Sequence, residues 1–301
     1  MSFREERYLS YKKSGDVTAL SYIDNEPDVD LNHLFREVLN DGIHGLCFSL
    51  YEEGQAPGDR ISEAQIRRRM DVLAPHTKWI RSFSCTEGNE HIPVVAKEYG
   101  LKTMVGAWLG SDKEKNEEEI ENLIKLAKQG HVDIAAVGNE VLYRDDLEES
   151  ELLDYMKRVK EELPDVPVGY VDAYYEFSQR PALVEHSDVI LCNCYPYWEG
   201  TSFEHSFQHM RQMYNQAKTV SQGKQVIITE TGWPSKGEPL GGAVPSEESA
   251  LRYFINTNLW AQDEDVDVFY FSSFDESWKK SSEGEVGAYW GIWDHKGKLK
   301  Y

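Results

Sequence analysis

The sequence is short of positive charge and has no long hydrophobic run. Among its 301 residues, 32 Lys and Arg stand against 53 Asp and Glu, so the net charge is −21. Nucleic acids and anionic membranes bind basic surfaces, so we expect neither as a partner. No hydrophobic run approaches the length needed to cross a bilayer. A neutral ligand suits such a surface best, although surplus acid also serves simply to keep a protein soluble.

Cysteine is scarce as well, and the candidate metal ligands are scattered. The nine His residues form no His-Glu-x-x-His helix and no cluster with cysteine. A Gly-x-Ser-x-Gly elbow, which would mark a serine hydrolase, is also missing. The sequence therefore predicts no metal site and no cofactor. Four cysteines without zinc-finger spacing are expected to be free buried thiols: Cys47, Cys85, Cys192 and Cys194.

Eight short apolar segments, most of them flanked by Gly, Pro or Asp, have the pattern of buried parallel strands. They are residues 43–50, 78–84, 101–109, 132–140, 167–173, 188–195, 225–231 and 266–274. Charged amphipathic segments alternate with them and predict helices. These are residues 61–75, 89–99, 114–129, 147–163, 177–186, 203–221 and 246–262. Within the first of these, Ser62 and Gln65 have the spacing of a capping box.

The alternation predicts the α/β class and a (β/α)₈ TIM barrel that spans residues 43–301 as one domain. An open doubly wound sheet is the alternative, but it would favour a glycine-rich phosphate loop after the first strand, and none is present. Residues 1–42 are predicted to form an N-terminal extension that closes the barrel floor. It would contain a hairpin, from segments 8–11 and 17–23, and a helix over residues 30–40.

Two of the predicted strands lead directly into a glutamate. Strand four ends at Glu140 and strand seven reaches Glu230. Barrel enzymes carry their catalytic groups at the C-terminal ends of strands, and strands four and seven lie nearly opposite each other. Cleavage of a glycosidic bond needs such a facing pair of carboxyl groups, one to protonate and one to attack. The alternative is that each glutamate is a buried ion-pair partner of Arg or Lys, which explains two matched positions less well.

The residues around both glutamates extend the pattern into recognisable motifs. Residues 138–140 (Gly-Asn-Glu) and 229–235 (Thr-Glu-Thr-Gly-Trp-Pro-Ser) resemble the acid/base and nucleophile motifs of glycoside hydrolase family 17. Segments 80–81, 193–197, 274–279 and 290–293 resemble further motifs of that family, so the similarity runs from about residue 43 to residue 301. The compact strand-six region looks closer to the fungal branch, which includes β-1,3-glucanosyltransferases.

The resemblance implies a role for each matching residue. Glu140 would be the general acid/base and Glu230 the nucleophile. Asn139 would bond the 2-hydroxyl of the sugar at the cleavage point, and Arg81 would hold Glu230 ionised, unless it forms an ordinary structural salt bridge. Further substrate-binding candidates, each with core packing or a surface ion pair as its alternative, are Tyr51, Tyr195, Tyr197, Trp233, Glu276 and Lys279.

Three more residues lie close to the acid/base in the expected barrel. Tyr143 follows it by three positions, and Trp198 and Glu199 follow the strand-six motif. We expect this group to border the acceptor sugar and to favour transfer by keeping water from the intermediate. Chance placement of surface aromatic residues is the alternative.

The family resemblance implies a retaining enzyme that acts on β-1,3-glucan by double displacement, leaning to transglycosylation. Hydrolysis, with water as the main acceptor, is the alternative, and a non-catalytic glucan-binding barrel is the second. An enzyme for phosphorylated metabolites is disfavoured by the acidic charge. The expected partner is therefore a β-1,3-glucan, and the expected state is a monomer. Residues 1–10 do not resemble a signal segment, which favours the cytoplasm, whereas the family favours secretion or the cell wall.

Overall fold

The computed structural model describes Ile23 and residues 30–301. The predicted hairpin over residues 8–11 and 17–23 therefore lies, apart from Ile23, outside the described residues. The helix expected after it is present as α1 (Leu31–Asn40), which begins where the Asp30 carboxylate accepts from the backbone N–H groups of Asn32 and His33. This helix packs on the barrel through Phe35, whose ring centroid lies 4.7 Å from that of Phe254.

Eight parallel strands close into one barrel in sequence order. Closure is made by β1, which pairs with β2 on one side and with β8 on the other, where Gly45 lies opposite Phe269. The predicted TIM barrel is thus confirmed, and the open-sheet alternative is wrong. The strands are β1 (Ile43–Cys47), β2 (Thr77–Ser82), β3 (Lys102–Ala107), β4 (Ile134–Asn139), β5 (Val168–Ala173), β6 (Ile190–Asn193), β7 (Val226–Thr231) and β8 (Val268–Tyr270).

Helices cover the outside of the barrel between successive strands. They are α2 (Glu63–Leu73), α3 (His91–Glu98), α4 (Lys113–Lys128), α5 (Glu149–Glu162), α6 (Glu176–Gln179), α7 (Pro181–His186), α8 (Phe203–Val220) and α9 (Glu247–Asp263). The short α10 (Lys280–Glu283) follows β8. Short 3₁₀ turns cover Ala74–His76, Ser277–Lys279 and Glu285–Ala288. In the described part of the chain, no helix combines the length and the apolar character that a membrane span requires.

Two helical predictions differ in detail from the structure. The segment 177–186 is two short helices, because Pro181 disfavours helical geometry at the preceding residue, and Arg180 accordingly has φ −130° and ψ 79°. The capping box at α2 is half formed. The Ser62 hydroxyl accepts from the Gln65 backbone N–H at 3.3 Å, but the Gln65 side chain donates to the Leu50 carbonyl at 3.0 Å.

The strands are most irregular where they approach the C-terminal face of the barrel. Register shifts occur between β4 and β5 at Ala136–Asn139, between β6 and β7 at Cys192–Asn193, and between β7 and β8 at Ile228–Thr231. Irregularities of this kind re-aim side chains next to active sites. The residues predicted to be catalytic lie at these shifted strand ends.

Candidate active site

The two glutamates lie at the C-terminal ends of β4 and β7, and both are buried. Glu140 adopts φ +52°, a left-handed conformation that costs a residue with a side chain about 1–3 kcal/mol. Its backbone N–H donates to the Val171 carbonyl at 2.8 Å. Gly138, two residues earlier, has φ +84°. The unusual backbone at these positions turns the Glu140 side chain inward, over the mouth of the barrel.

A single asparagine amide joins the two carboxylates. Asn193 Nδ2 donates to Glu140 Oε1 at 2.9 Å and to Glu230 Oε1 at 3.3 Å. The Thr229 hydroxyl donates to Asn193 Oδ1 at 2.8 Å, which fixes the orientation of the amide. The separation of the two Oε1 atoms cannot exceed the sum of the two amide distances. That limit lies below about 6.5 Å, where the range of inverting glycosidases begins, and it leaves room for the roughly 5–5.5 Å separation of a retaining pair.

Glu230 is surrounded by donors. Arg81 Nη1 donates to its Oε1 at 2.8 Å, and the Tyr195 hydroxyl donates to its Oε2 at 2.8 Å. The guanidinium is buried with it, so the pair is a charge-assisted hydrogen bond in a dry site. Together with the bond from Asn193, these contacts hold both oxygens of the Glu230 carboxylate in place.

Glu140 has the opposite electrostatic setting. Burial, followed by the negative charge of Glu230, raises its pKa to about 7, and the hydrogen bond from Asn193 opposes that rise. A carboxyl group with such a pKa still carries its proton at mildly acidic pH and releases it near neutrality. This is the behaviour of a general acid that later serves as a base.

Arg81 ties the nucleophile to the asparagine that precedes the acid/base. Its Nη2 donates to Asn139 Oδ1 at 2.6 Å, while Nη1 bonds Glu230. The guanidinium also lies over the ring of Phe83, 4.2 Å from its centroid. One buried cation from β2 thus fixes side chains on β4 and β7.

A cleft of about 430 Å³ opens above the pair. Tyr51, Glu276 and Lys279 all line it. Lys279 Nζ bonds Glu276 Oε2 at 2.7 Å, and Glu276 Oε1 accepts from the Tyr51 backbone N–H at 2.9 Å. Lys279 also lies 4.3 Å from the centroid of the Phe271 ring. Glu276 and Lys279, the polar residues of the strand-eight motif, therefore lie on the same wall of the cleft as Tyr51, which follows β1.

The residues predicted to border an acceptor occupy two neighbouring places. Trp198 lines the main cleft, whereas Tyr143 and Glu199 line a smaller recess that also contains Glu140. Glu199 accepts from the Tyr174 hydroxyl at 3.0 Å. Its other oxygen lies 2.5 Å from a ring nitrogen of His209.

Tyr197 and Trp233 lie behind the cleft and are 1% exposed. Their ring centroids are 5.7 Å apart. The Tyr197 hydroxyl donates to the Glu238 carbonyl at 2.7 Å, and Trp233 Nε1 donates to the Val244 carbonyl at 3.2 Å. Neither is among the residues that the structure places on the cleft wall, so substrate contact by these two stays a prediction. Their observed contacts hold the loop that follows β7.

Sequence reasoning did not single out three residues of this site. Asn193 lies inside a segment that resembles a family motif, and its position at the end of β6 is the signal by which it could have been found. Trp108 follows β3, lines the cleft and is 40% exposed. Arg144, whose guanidinium carbon lies 4.5 Å from the Trp108 ring centroid, had no signal in the sequence. Within the described residues, His, Cys, Asp and Glu form no group of three or more that could hold a metal ion.

Comparison with known proteins identifies related glycosidases. Residues 45–291 match the BtgE/BtgC glycoside hydrolase domain. The chain is 28% identical to glucan 1,3-beta-glucosidase BGL2 of Candida albicans over 258 residues, which is 77% of this chain and 83% of that protein. It is 30% identical to a glucan 1,3-beta-glucosidase of Schizosaccharomyces pombe over 250 residues, with 77% and 78% covered.

A solved structure gives the same result. The glycoside hydrolase family 17 beta-1,3-glucanosyltransferase of Rhizomucor miehei superposes with a TM-score of 0.78 at 28% identity, covering 87% of this chain and 96% of that one. An active-site mutant of the Rhizomucor miehei beta-1,3-glucanosyltransferase, in complex with laminaritriose, matches with the same TM-score. The chain therefore belongs to glycoside hydrolase family 17, in the group defined by the BtgE/BtgC glycoside hydrolase domain.

Proposed function

We propose that this glycosidase is a retaining enzyme of β-1,3-glucan that mainly transfers glucan segments to other glucan chains. The observation that supports the proposal is the pair Glu140 and Glu230, both of which accept hydrogen bonds from the one Asn193 amide. The substrate class is supported by the relatives, which are named for β-1,3-glucan, and by the laminaritriose complex of the Rhizomucor enzyme.

In the first step, Glu230 attacks the anomeric carbon while Glu140 gives its proton to the departing oxygen. The glycosidic bond breaks, an ester to Glu230 forms, and the proton leaves with the released chain. Because the pKa of Glu140 is raised, its carboxyl group still carries that proton at mildly acidic pH. Arg81 and Tyr195 donate to the Glu230 carboxylate and hold its oxygens in a fixed orientation for attack.

In the second step, Glu140 acts as a base toward the incoming hydroxyl group. Esterification removes the negative charge of Glu230, one of the two causes that raise the pKa of Glu140. The pKa of Glu140 then falls, and its carboxylate can take the proton of the acceptor as the ester is broken. A sugar hydroxyl as acceptor gives transfer, and water gives hydrolysis.

On the donor side, we propose that Asn139 bonds the 2-hydroxyl of the sugar that becomes attached to Glu230. Arg81 fixes the oxygen end of the Asn139 amide, which leaves the nitrogen end as the donor available to a ligand. The ion pair of Glu276 and Lys279 and the nearby Tyr51 supply further polar contacts along this part of the cleft.

On the acceptor side, we propose that Trp198 stacks against an incoming glucose ring and that Tyr143 and Glu199 lie beside it. The support is that all three border the space next to Glu140. An apolar plate that covers the intermediate disfavours water and favours a sugar, because the flat faces of pyranose rings are apolar. Trp198→Ala and Tyr143→Ala should therefore lower the ratio of transfer to hydrolysis, and an unchanged ratio would contradict the assignment.

The experiment that tests the function is a time course with reduced laminaripentaose as the substrate. Products longer than the substrate are expected early in the reaction. Shorter products alone would replace transfer with hydrolysis, which is the alternative function. Unchanged substrate with measurable binding would indicate a glucan-binding barrel, and Glu230→Ala, which lacks the nucleophile, provides the matched inactive control.

A further inference from the structure

The turn that carries the acid/base is held by three consecutive residues of the neighbouring strand β5. The Val171 carbonyl accepts from the Glu140 backbone N–H at 2.8 Å. Two residues further along the turn, the Leu142 backbone N–H donates to the Tyr170 hydroxyl oxygen at 3.0 Å. The Tyr170 hydroxyl in turn donates to Asp172 Oδ2. The turn thus has one main-chain anchor and one side-chain anchor on the same strand.

The two residues of the side-chain anchor are buried, and their oxygen atoms are hydrogen-bonded to each other and to the backbone. Tyr170 and Asp172 are both 0% exposed, and residues two apart on a strand share one face. The other oxygen of Asp172 accepts from the Ala173 backbone N–H at 2.7 Å. With its hydroxyl proton committed to the carboxyl, the phenolic oxygen presents its lone pairs to Leu142. Neither side chain lies on the wall of the main cleft or of the recess next to it.

We propose that Tyr170 and Asp172 are positioning residues for Glu140, acting through the backbone of the turn that follows it. Glu140 is held at φ +52°, a conformation from which the chain relaxes when its surroundings permit. A peptide unit fixed at Leu142, two residues beyond, limits that relaxation. Leu142 is buried, and replacing Tyr170 by Phe would remove the hydroxyl to which its N–H donates. The turn would then rearrange, and the Glu140 carboxyl would move away from the glycosidic oxygen.

This inference rests on the proposed function, in which Glu140 protonates the leaving group. It therefore predicts a defect that depends on the leaving group. Good leaving groups depart without being protonated, whereas poor leaving groups depend on the general acid. A loss of stability alone, or a displaced nucleophile, would affect all substrates alike.

The test compares kcat/KM of Tyr170→Phe on a series of aryl β-laminaribiosides, from the 2,4-dinitrophenyl to the phenyl glycoside. This parameter reports the first chemical step, whether transfer or hydrolysis follows. We expect a loss of roughly tenfold or more on the phenyl glycoside and of less than about threefold on the 2,4-dinitrophenyl glycoside. Glu140→Ala, which lacks the acid, sets the upper limit of that dependence.

Tyr253→Phe is the matched control. Tyr253 is equally buried, and its hydroxyl lies 2.6 Å from that of Thr231, next to the nucleophile. Its loss should lower thermal stability and change kcat/KM by a similar factor for every leaving group. If Tyr170→Phe does not fold, Asp172→Ala removes the group that orients the phenol and should produce the same leaving-group dependence.

The outcomes separate the two proposals. If the parent protein cleaves no aryl laminaribioside, the proposed function fails. If it cleaves them but Tyr170→Phe and Asp172→Ala lose the same factor on every leaving group, the function stands and the positioning role is overturned.

Discussion

The amide of Asn193 offers the sharpest test of how the two carboxylates are tuned. It donates to Glu140 at 2.9 Å and to Glu230 at 3.3 Å, and its bond to Glu140 opposes the rise in the pKa of that group. Asn193→Ala removes a donor that stabilises the charged form. The pKa of Glu140 should therefore rise above its value of about 7.

The size of the shift follows from the strength of the bond. A hydrogen bond contributes about 1 kcal/mol net, and about 1.36 kcal/mol corresponds to one pKa unit, so the expected rise is roughly 0.7 unit. The basic limb of the kcat/KM profile reports the protonated acid of the free enzyme and should move to higher pH by that amount. The assay is kcat/KM between about pH 4 and pH 9 on an aryl laminaribioside.

The control is Asn258→Ala, which removes another buried asparagine, one whose amide donates to the Phe254 carbonyl at 2.8 Å within α9. It should reduce stability and leave the basic limb where it is. A basic limb that stays in place or moves to lower pH in Asn193→Ala, with the control unchanged, would refute the reasoning. It would mean that water entering the space left by Asn193 solvates Glu140 better than the amide does.

Three further perturbations test other parts of the site. Glu140→Ala should abolish the basic limb near pH 7 and lower kcat/KM on glucan oligomers by about 10²–10⁴-fold, and a surviving limb would assign the titration to another group. Trp108→Ala removes an exposed aromatic ring from the cleft and should raise KM about threefold to tenfold. Tyr99 is similarly exposed but lies outside the cleft lining, so Tyr99→Ala should leave KM unchanged. Equal KM values for the two variants would exclude stacking of the substrate on Trp108. Gly138→Ala should lower the free energy of unfolding, measured in urea, by about 1–3 kcal/mol more than Gly130→Ala does. Both glycines have φ above +80°, but of the two only Gly138 has a neighbouring atom within 3 Å of the added methyl group. Equal losses of stability would refute the packing argument.

The fold was predictable because its signals are local. Each strand is a short apolar segment and each helix an amphipathic one, so the alternation alone indicates a barrel. The exact ends of the strands and helices are harder to predict. Strand β8 is predicted over residues 266–274 but stops at Tyr270. Phe271 still donates to Thr231 of β7, but the Ser272 N–H donates to the Trp290 carbonyl at 3.1 Å, outside the barrel strands. Such long-range partners leave no local pattern.

The site residues also divide into those with a local signal in the sequence and those without one. Glu140 and Glu230 are predicted because each lies at the end of an apolar strand, where a charged residue stands out. Arg81 is predicted through its resemblance to the strand-two motif of the family. Asn193 lies at a strand end too, but an amide there is not unusual, and its role depends on which side chains the register shift of β6 and β7 brings within reach. Tyr170 lies inside a strand and is indistinguishable from core until the neighbouring turn is seen.

In the proposed mechanism, the acid and the nucleophile of this pair differ in the partners that they do not share. Both accept from the same Asn193 amide and both are buried, so neither burial nor that amide distinguishes them. Arg81 and Tyr195 donate to Glu230 and not to Glu140. Burial, followed by the negative charge of Glu230, raises the pKa of Glu140. In that mechanism, a cation on β2 and a phenol two residues beyond β6 distinguish the two glutamates, and the pKa of Glu140 falls once the ester forms because Glu230 no longer carries its charge.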